Sequence, residues 1–98
     1  MTDRELLEQA AKAAGIEIDP IDAAHEPSEW QCWNPLTDDG DALRLAVKLG
    51  FTVEIGDGYV DVLTWTTAGV TAGTESDPYA ATRRAIVRAA AEIGRSMA

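Results

Sequence analysis

A few residues in this chain are of types that could do chemistry. Asp38-Asp39-Gly40-Asp41 sets three carboxylates within four positions, a density that suits a divalent cation. A calcium loop, however, takes ligands at alternate positions and closes with a bidentate Glu at the twelfth. That order is missing, and three aspartates ahead of an apolar helical stripe suit N-capping and the positive end of a helix dipole. His25, the one histidine, stands between Ala24 and Glu26. A general base needs an orienting partner and a nucleophile, and zinc needs several His or Cys ligands at short spacing. His25 therefore reads as an exposed loop residue. Cys32 lies among tryptophans and acids, the opposite of the cationic setting that activates a thiol, and reads as buried and inert. Gly56-Asp57-Gly58 lacks the Lys-Ser or Lys-Thr and the following helix of a phosphate loop, so a hairpin turn accounts for it. No catalytic residue, cofactor or metal ligand is assigned.

Binding is the other chemistry the sequence allows. Trp30 and Trp33 either close the core under a loop or form a partner surface, since Trp and Tyr are frequent hot spots. Between Lys12 and Arg44 there is no basic residue, while Glu17, Asp19, Asp22, Glu26, Glu29, Asp38, Asp39 and Asp41 lie in that gap. The negative field is expected to be strongest there. Trp30, Trp33, Asp38, Asp39 and Asp41 are the candidate partner surface. The segment from Pro78 onward carries Arg83, Arg84, Arg88 and Arg95 against Glu92, net +3, leaving −12 on the rest. At least one of Arg83, Arg84 and Arg88 is therefore expected to pair with an acid outside that segment, with Asp38, Asp39, Asp41, Glu54 and Asp61 as candidates.

The chain has 98 residues, a net charge of −9 and 46% hydrophobic residues. That supports one domain over 1–98 with a real core. The acidity argues against direct nucleic-acid contact, which needs clustered Lys and Arg. No apolar run approaches the length of a membrane span, and the charged opening Thr2-Asp3-Arg4-Glu5 does not read as a signal peptide. A single cysteine fits a reducing compartment.

The elements that must position these residues are signalled by period. Thr2 and Glu5 have capping-box spacing, Leu6, Ala10, Ala13 and Ala14 form a stripe flanked by Leu7, and Gly15 suits a left-handed C′ residue. A helix over 3–14 follows, and its alanine stripe requires close approach to a partner. Residues 16–36 are irregular, with Pro20 and Pro27 excluding a continuous helix. Ile16-Glu17-Ile18-Asp19 could be a short extended piece, and the alternation around Trp30-Cys32-Asn34 permits a short strand. A second helix starts near Thr37 or Asp38. Its stripe is Leu43, Ala46, Val47 and Gly50, widened by Ala42, Leu45 and Leu49, and it ends in a Schellman pattern at Gly50-Phe51.

The period then changes to 2. Phe51, Val53 and Ile55 alternate with Thr52 and Glu54, Val60, Val62 and Thr64 alternate with Tyr59, Asp61, Leu63 and Trp65, and Asp57-Gly58 suggests a type I′ hairpin turn. Residues 66–74 read as a short third strand or a turn. Asp77-Pro78 opens the last helix, with Tyr79, Thr82, Ile86, Ala89, Ala90, Ile93 and Met97 on one face, and Gly94 ending it or lying in its last turn. The fold class is α+β: three helices with a small antiparallel β-sheet of about three strands, in the order α-loop-α-β-β-(β)-α.

The run from Trp33-Asn34-Pro35-Leu36-Thr37-Asp38-Asp39-Gly40 through Leu49, the run from Asp77-Pro78-Tyr79 through Gly94, and the opening Glu5 through Ile16 resemble small proteins of bacteriophages and prophages in the phage α/β/α sandwich domain family. The resemblance covers about half the chain. It implies helices around a small antiparallel sheet and a phage or prophage gene expressed in bacterial cytoplasm. It brings no catalytic residues. The expected function is that of a small acidic accessory protein, not an enzyme, that binds an unknown host or phage protein. A mimic of DNA charge that inhibits a host defence or regulatory protein is one alternative, and −9 is modest for it. A self-associating structural protein, with Trp30, Trp33 or Trp65 at a homodimer seam, is the other.

Overall fold

The computed structural model describes residues 2–15, 33–65, 69–74 and 77–97. Among them are three helices, α1 (Asp3–Ala14), α2 (Asp39–Leu49) and α3 (Pro78–Ser96), and three strands, β1 (Thr52–Gly56), β2 (Tyr59–Leu63) and β3 (Gly69–Gly73). The strands form an antiparallel sheet in the order β1-β2-β3. The chain is α+β, as its change of period requires. Residues 16–32, with the expected extended pieces, Trp30, Cys32 and His25, lie outside the described residues.

Each helix starts and stops for a local reason. The Thr2 hydroxyl accepts from the Glu5 amide at 3.2 Å while the Glu5 carboxylate accepts from the Thr2 amide at 3.4 Å, a complete capping box. Asp77 accepts from the amides of Tyr79 and Ala80, and Pro78 supplies no orphan donor. At the end of α2, Gly50 turns left-handed at φ 70°. There the Phe51 amide donates to Ala46 O at 2.9 Å and the Gly50 amide to Val47 O at 3.2 Å, the paired bonds of a Schellman motif.

Helix α3 is the centre of the molecule and touches α1, α2, β2 and β3. Val60 and Val62 of β2 are fully buried under it, with Val70 and Ala72 of β3 packed beside them. Ala10 and Ala14 of α1 meet Ala85, Ala89 and Ala90 in the same core. Small side chains on both helices let their backbones approach closely, as the alanine stripe of α1 requires. Gly94 lies inside the last turn of α3, which runs on to Ser96, and its backbone rests on the Gln9 carbonyl. Lys12 ties the same corner by donating to Met97 O at 3.0 Å.

Three expectations are corrected. On α2 the buried side is Asp41, Ala42, Leu45 and Ala46, while Leu43 and Val47 are exposed, Val47 at 72%. The broad apolar pattern hid this because only one side of α2 meets α3. Tyr79, expected on one face of α3 with Ile86 and Ile93, is 68% exposed at the first turn of the helix, whereas Ile86 and Ile93 are buried. The hairpin has a two-residue loop, Asp57-Gly58, but only Gly58 has positive φ, at 81°. A type I′ turn needs positive φ at both central positions. Asp57 keeps the ordinary negative value, so the turn is not I′. Of the alternatives at 66–74, the strand forms over Gly69–Gly73.

Candidate partner surface

The acids ahead of α2 are drawn into a local network. Asn34 O accepts from the amides of Thr37 and Asp38, and its side-chain oxygen accepts from the Leu36 amide at 3.1 Å. Pro35 within this turn is fully buried. Asp38 is the N-cap and accepts from the Asp41 amide at 2.8 Å. The Asp41 carboxylate is only 8% exposed; one oxygen accepts from the Asn34 amide at 2.8 Å and the other from Arg44 at 2.7 Å. Arg44 also lies 3.8 Å from Asp38, and its pKa rises further because the Asp41 hydrogen bond holds the charged form.

A long-range clamp fastens this turn to α3. Arg83 donates through Nε to Leu36 O at 2.9 Å and through Nη1 to Asp39. Its side chain is 18% exposed, whereas that of Asp39 is largely in solvent. The ion pair expected between α3 and an outside acid is therefore present. Arg84 makes a second one with Asp3 of α1 at 2.9 Å, an acid that charge balance alone did not single out.

The candidate residues are thus placed as follows. Asp38, Asp39 and Asp41 lie together at the start of α2, each already bonded within the fold. Trp33 is partly buried and packs against the core beside Leu36. Trp30 lies outside the described residues. Trp65, just past β2, is 70% exposed.

The sheet shows a second surface. On its inner face the register aligns Val53, Val62 and Val70 in one row and Ile55, Val60 and Ala72 in the next. The outer face carries Thr52, Leu63 and Gly69, then Glu54, Asp61 and Thr71, then Gly56, Tyr59 and Gly73. Helix α3 packs on the inner side of β2 and β3, whereas Ile55 at the β1 edge is exposed; on the outer face all but Gly56 and Asp61 are exposed. Glu54 and Asp61 are direct cross-strand partners, and like charges so placed are destabilising. Among the described residues neither has a basic partner, in contrast to the acids at α2. One carboxylate oxygen of Asp61, Oδ1, is buried with no hydrogen bond.

Tyr59 completes this face. Its ring lies directly over Gly56, where any Cβ would collide with it, and its hydroxyl donates to Glu54 at 3.1 Å. That hydrogen bond, reinforced by the charges of Glu54 and Asp61, raises the Tyr59 pKa above its ordinary value. Sequence alternation puts Glu54 opposite the apolar side of its run, and Tyr59 and Asp61 opposite Val60 and Val62. Only the register sets Glu54 against Asp61, and only the packing shows that this side is open.

Among the described residues no group of three or more His, Cys, Asp or Glu is placed to hold a metal ion, and no helix is long and apolar enough to cross a membrane. No protein-family model, curated protein or solved structure matches the chain.

Proposed function

We propose that this chain is a small accessory protein of phage or prophage type that acts in the bacterial cytoplasm by binding another protein, one that presents basic groups. The phage assignment rests on the sequence resemblance alone. The binding assignment rests on charge placement. Arg44, Arg83, Arg84 and Arg95 are matched to acids within the fold, while Glu54, Asp57 and Asp61 of the hairpin have no cation among the described residues. Uncompensated acids beside exposed apolar residues such as Leu63 and Trp65 combine electrostatic steering with anchoring contacts. Binding, and not catalysis, is the role this arrangement serves.

Self-association is the second reading, favoured by the exposure of Trp65. Affinity capture from bacterial lysate at low and high salt, run beside size-exclusion chromatography, separates the two. A basic partner is retained at low salt and lost as salt screens the contact. A dimer seam built on Trp65 instead survives salt and elutes at twice the monomer mass. A monomer that retains no protein at either salt overturns both readings.

A further inference from the structure

The open face of the sheet gives this binding reading a location and a partner chemistry. We propose that the Glu54–Asp61 pair, with Tyr59 and Leu63 on either side, docks an arginine-bearing basic segment of a partner protein. The inference rests on the protein-binding reading above.

The two carboxylates sit opposite one another on β1 and β2 and repel. The rest of the described fold leaves few acids in that position: it matches Asp38 and Asp41 to Arg44, Asp39 to Arg83 and Asp3 to Arg84. A cation brought by a partner would turn the repulsion into attraction on both sides of one charge.

Arginine fits this face better than lysine or a metal ion. Its planar guanidinium offers several donors in a fork, enough to serve Glu54 and Asp61 together, and it stacks on aromatic rings. The Tyr59 ring lies against Gly56, and its hydroxyl reaches Glu54. Leu63, exposed on the same face, offers apolar surface to the methylene stem. Two carboxylates without a further ligand are too few for a structural metal site, and an acidic face repels nucleic-acid phosphate. A second copy of a chain carrying −9 is disfavoured by the same charge.

The test uses a fluorescein-labelled octa-arginine peptide and fluorescence anisotropy at low salt. Two double variants remove equal charge: E54Q/D61N on the open face, and E8Q/E92Q on the helices as control. Because E54Q/D61N relieves a repulsion, it is expected to fold at least as stably as the parent, which thermal unfolding checks. The proposal expects E54Q/D61N to weaken peptide binding about tenfold or more, and E8Q/E92Q to stay within about twofold of the parent. Amide shift changes on adding peptide are expected to centre on residues 52–63. Equal losses in both variants, shift changes centred on the helices, or no peptide binding by the parent would each overturn it. If the parent and E54Q/D61N capture the same lysate protein equally, this location is wrong while the protein-binding reading stands. If the parent captures no protein yet binds the peptide with the selective loss, the face is a cation site and the broader reading fails.

Discussion

Gly94 of α3 stands so close to the carbonyl of Gln9 in α1 that a methyl group on its Cα would overlap that carbonyl. The two backbones meet because Ala10, Ala14, Ala89 and Ala90 leave little side-chain volume between them. In a free helix Gly→Ala is stabilising by about 1 kcal/mol. Here the sign reverses. G94A is expected to destabilise by about 1–3 kcal/mol, the usual cost of overpacking. Urea unfolding with an unchanged m-value measures it, and a G94A protein as stable as the parent would refute the close approach.

Asp41 is the least replaceable of the α2 acids. D41A leaves the Asn34 amide without its acceptor and frees Arg44. The expected loss is about 1–3 kcal/mol, the cost of an unsatisfied buried donor. D39N, at an exposed carboxylate, is expected to cost about 1 kcal/mol or less. Chemical denaturation of the two variants in parallel decides it; similar losses would mean that the buried bond to Asn34 contributes nothing extra.

Arg83 holds two acceptors of different kinds, Leu36 O and Asp39. R83A should therefore cost more than the ion pair alone, about 1.5–3 kcal/mol for charged hydrogen bonds. Lysine, a point charge without the fork, is expected to recover less than half of that in R83K. In a double-mutant cycle with D39N, most of the R83A cost should persist, because the Leu36 carbonyl still loses its donor. A cycle in which D39N abolishes the R83A effect would assign the whole contribution to the ion pair.

Tyr59 gives a pH signature. Its hydroxyl donates to Glu54, so the folded state holds its pKa above the unfolded value of about 10. For a group whose folded pKa is raised, the contribution is fully present below the unfolded pKa and fades as pH rises through the folded one. On the tyrosine side the contact should thus be unaffected by pH across the neutral range and weaken as the pH rises into alkali. Ultraviolet titration of a Y79F background isolates Tyr59. E54Q is expected to bring its midpoint back toward that of free tyrosine, and an unchanged midpoint would exclude Glu54 as the cause.

Much of the architecture is written in local sequence. The capping box at Thr2 and Glu5, the Gly50-Phe51 C-cap and the Asp77-Pro78 start all form as their residue types require, because each is closed by groups a few positions apart. The change from period 3.6 to 2 at Phe51 places the hairpin for the same reason. Charge balance also carried real information: the surplus of arginine on the last helix predicts a pair with an outside acid, and Arg83 makes it with Asp39.

What local pattern left open was decided by contacts between distant segments. The apolar residues of α2 are spread too widely to name one buried side; α3 selects Ala42, Leu45 and Ala46 and leaves Leu43 and Val47 in solvent. Local pattern leaves Gly94 either ending α3 or lying in its last turn, and only the contact with α1 shows why a glycine stands there. In the same way, the acids before α2 form one patch in the sequence, yet folding binds them to Arg44, Arg83 and backbone amides. Glu54 and Asp61, seven positions apart and read from the sequence as candidate partners of the α3 arginines, instead become an unmatched pair through the register of β1 on β2. Period and capping act within a few residues, so the sequence determined the elements and their ends. Which faces meet, and which charges are left without a partner, depends on packing between remote elements, and only the tertiary structure decided that.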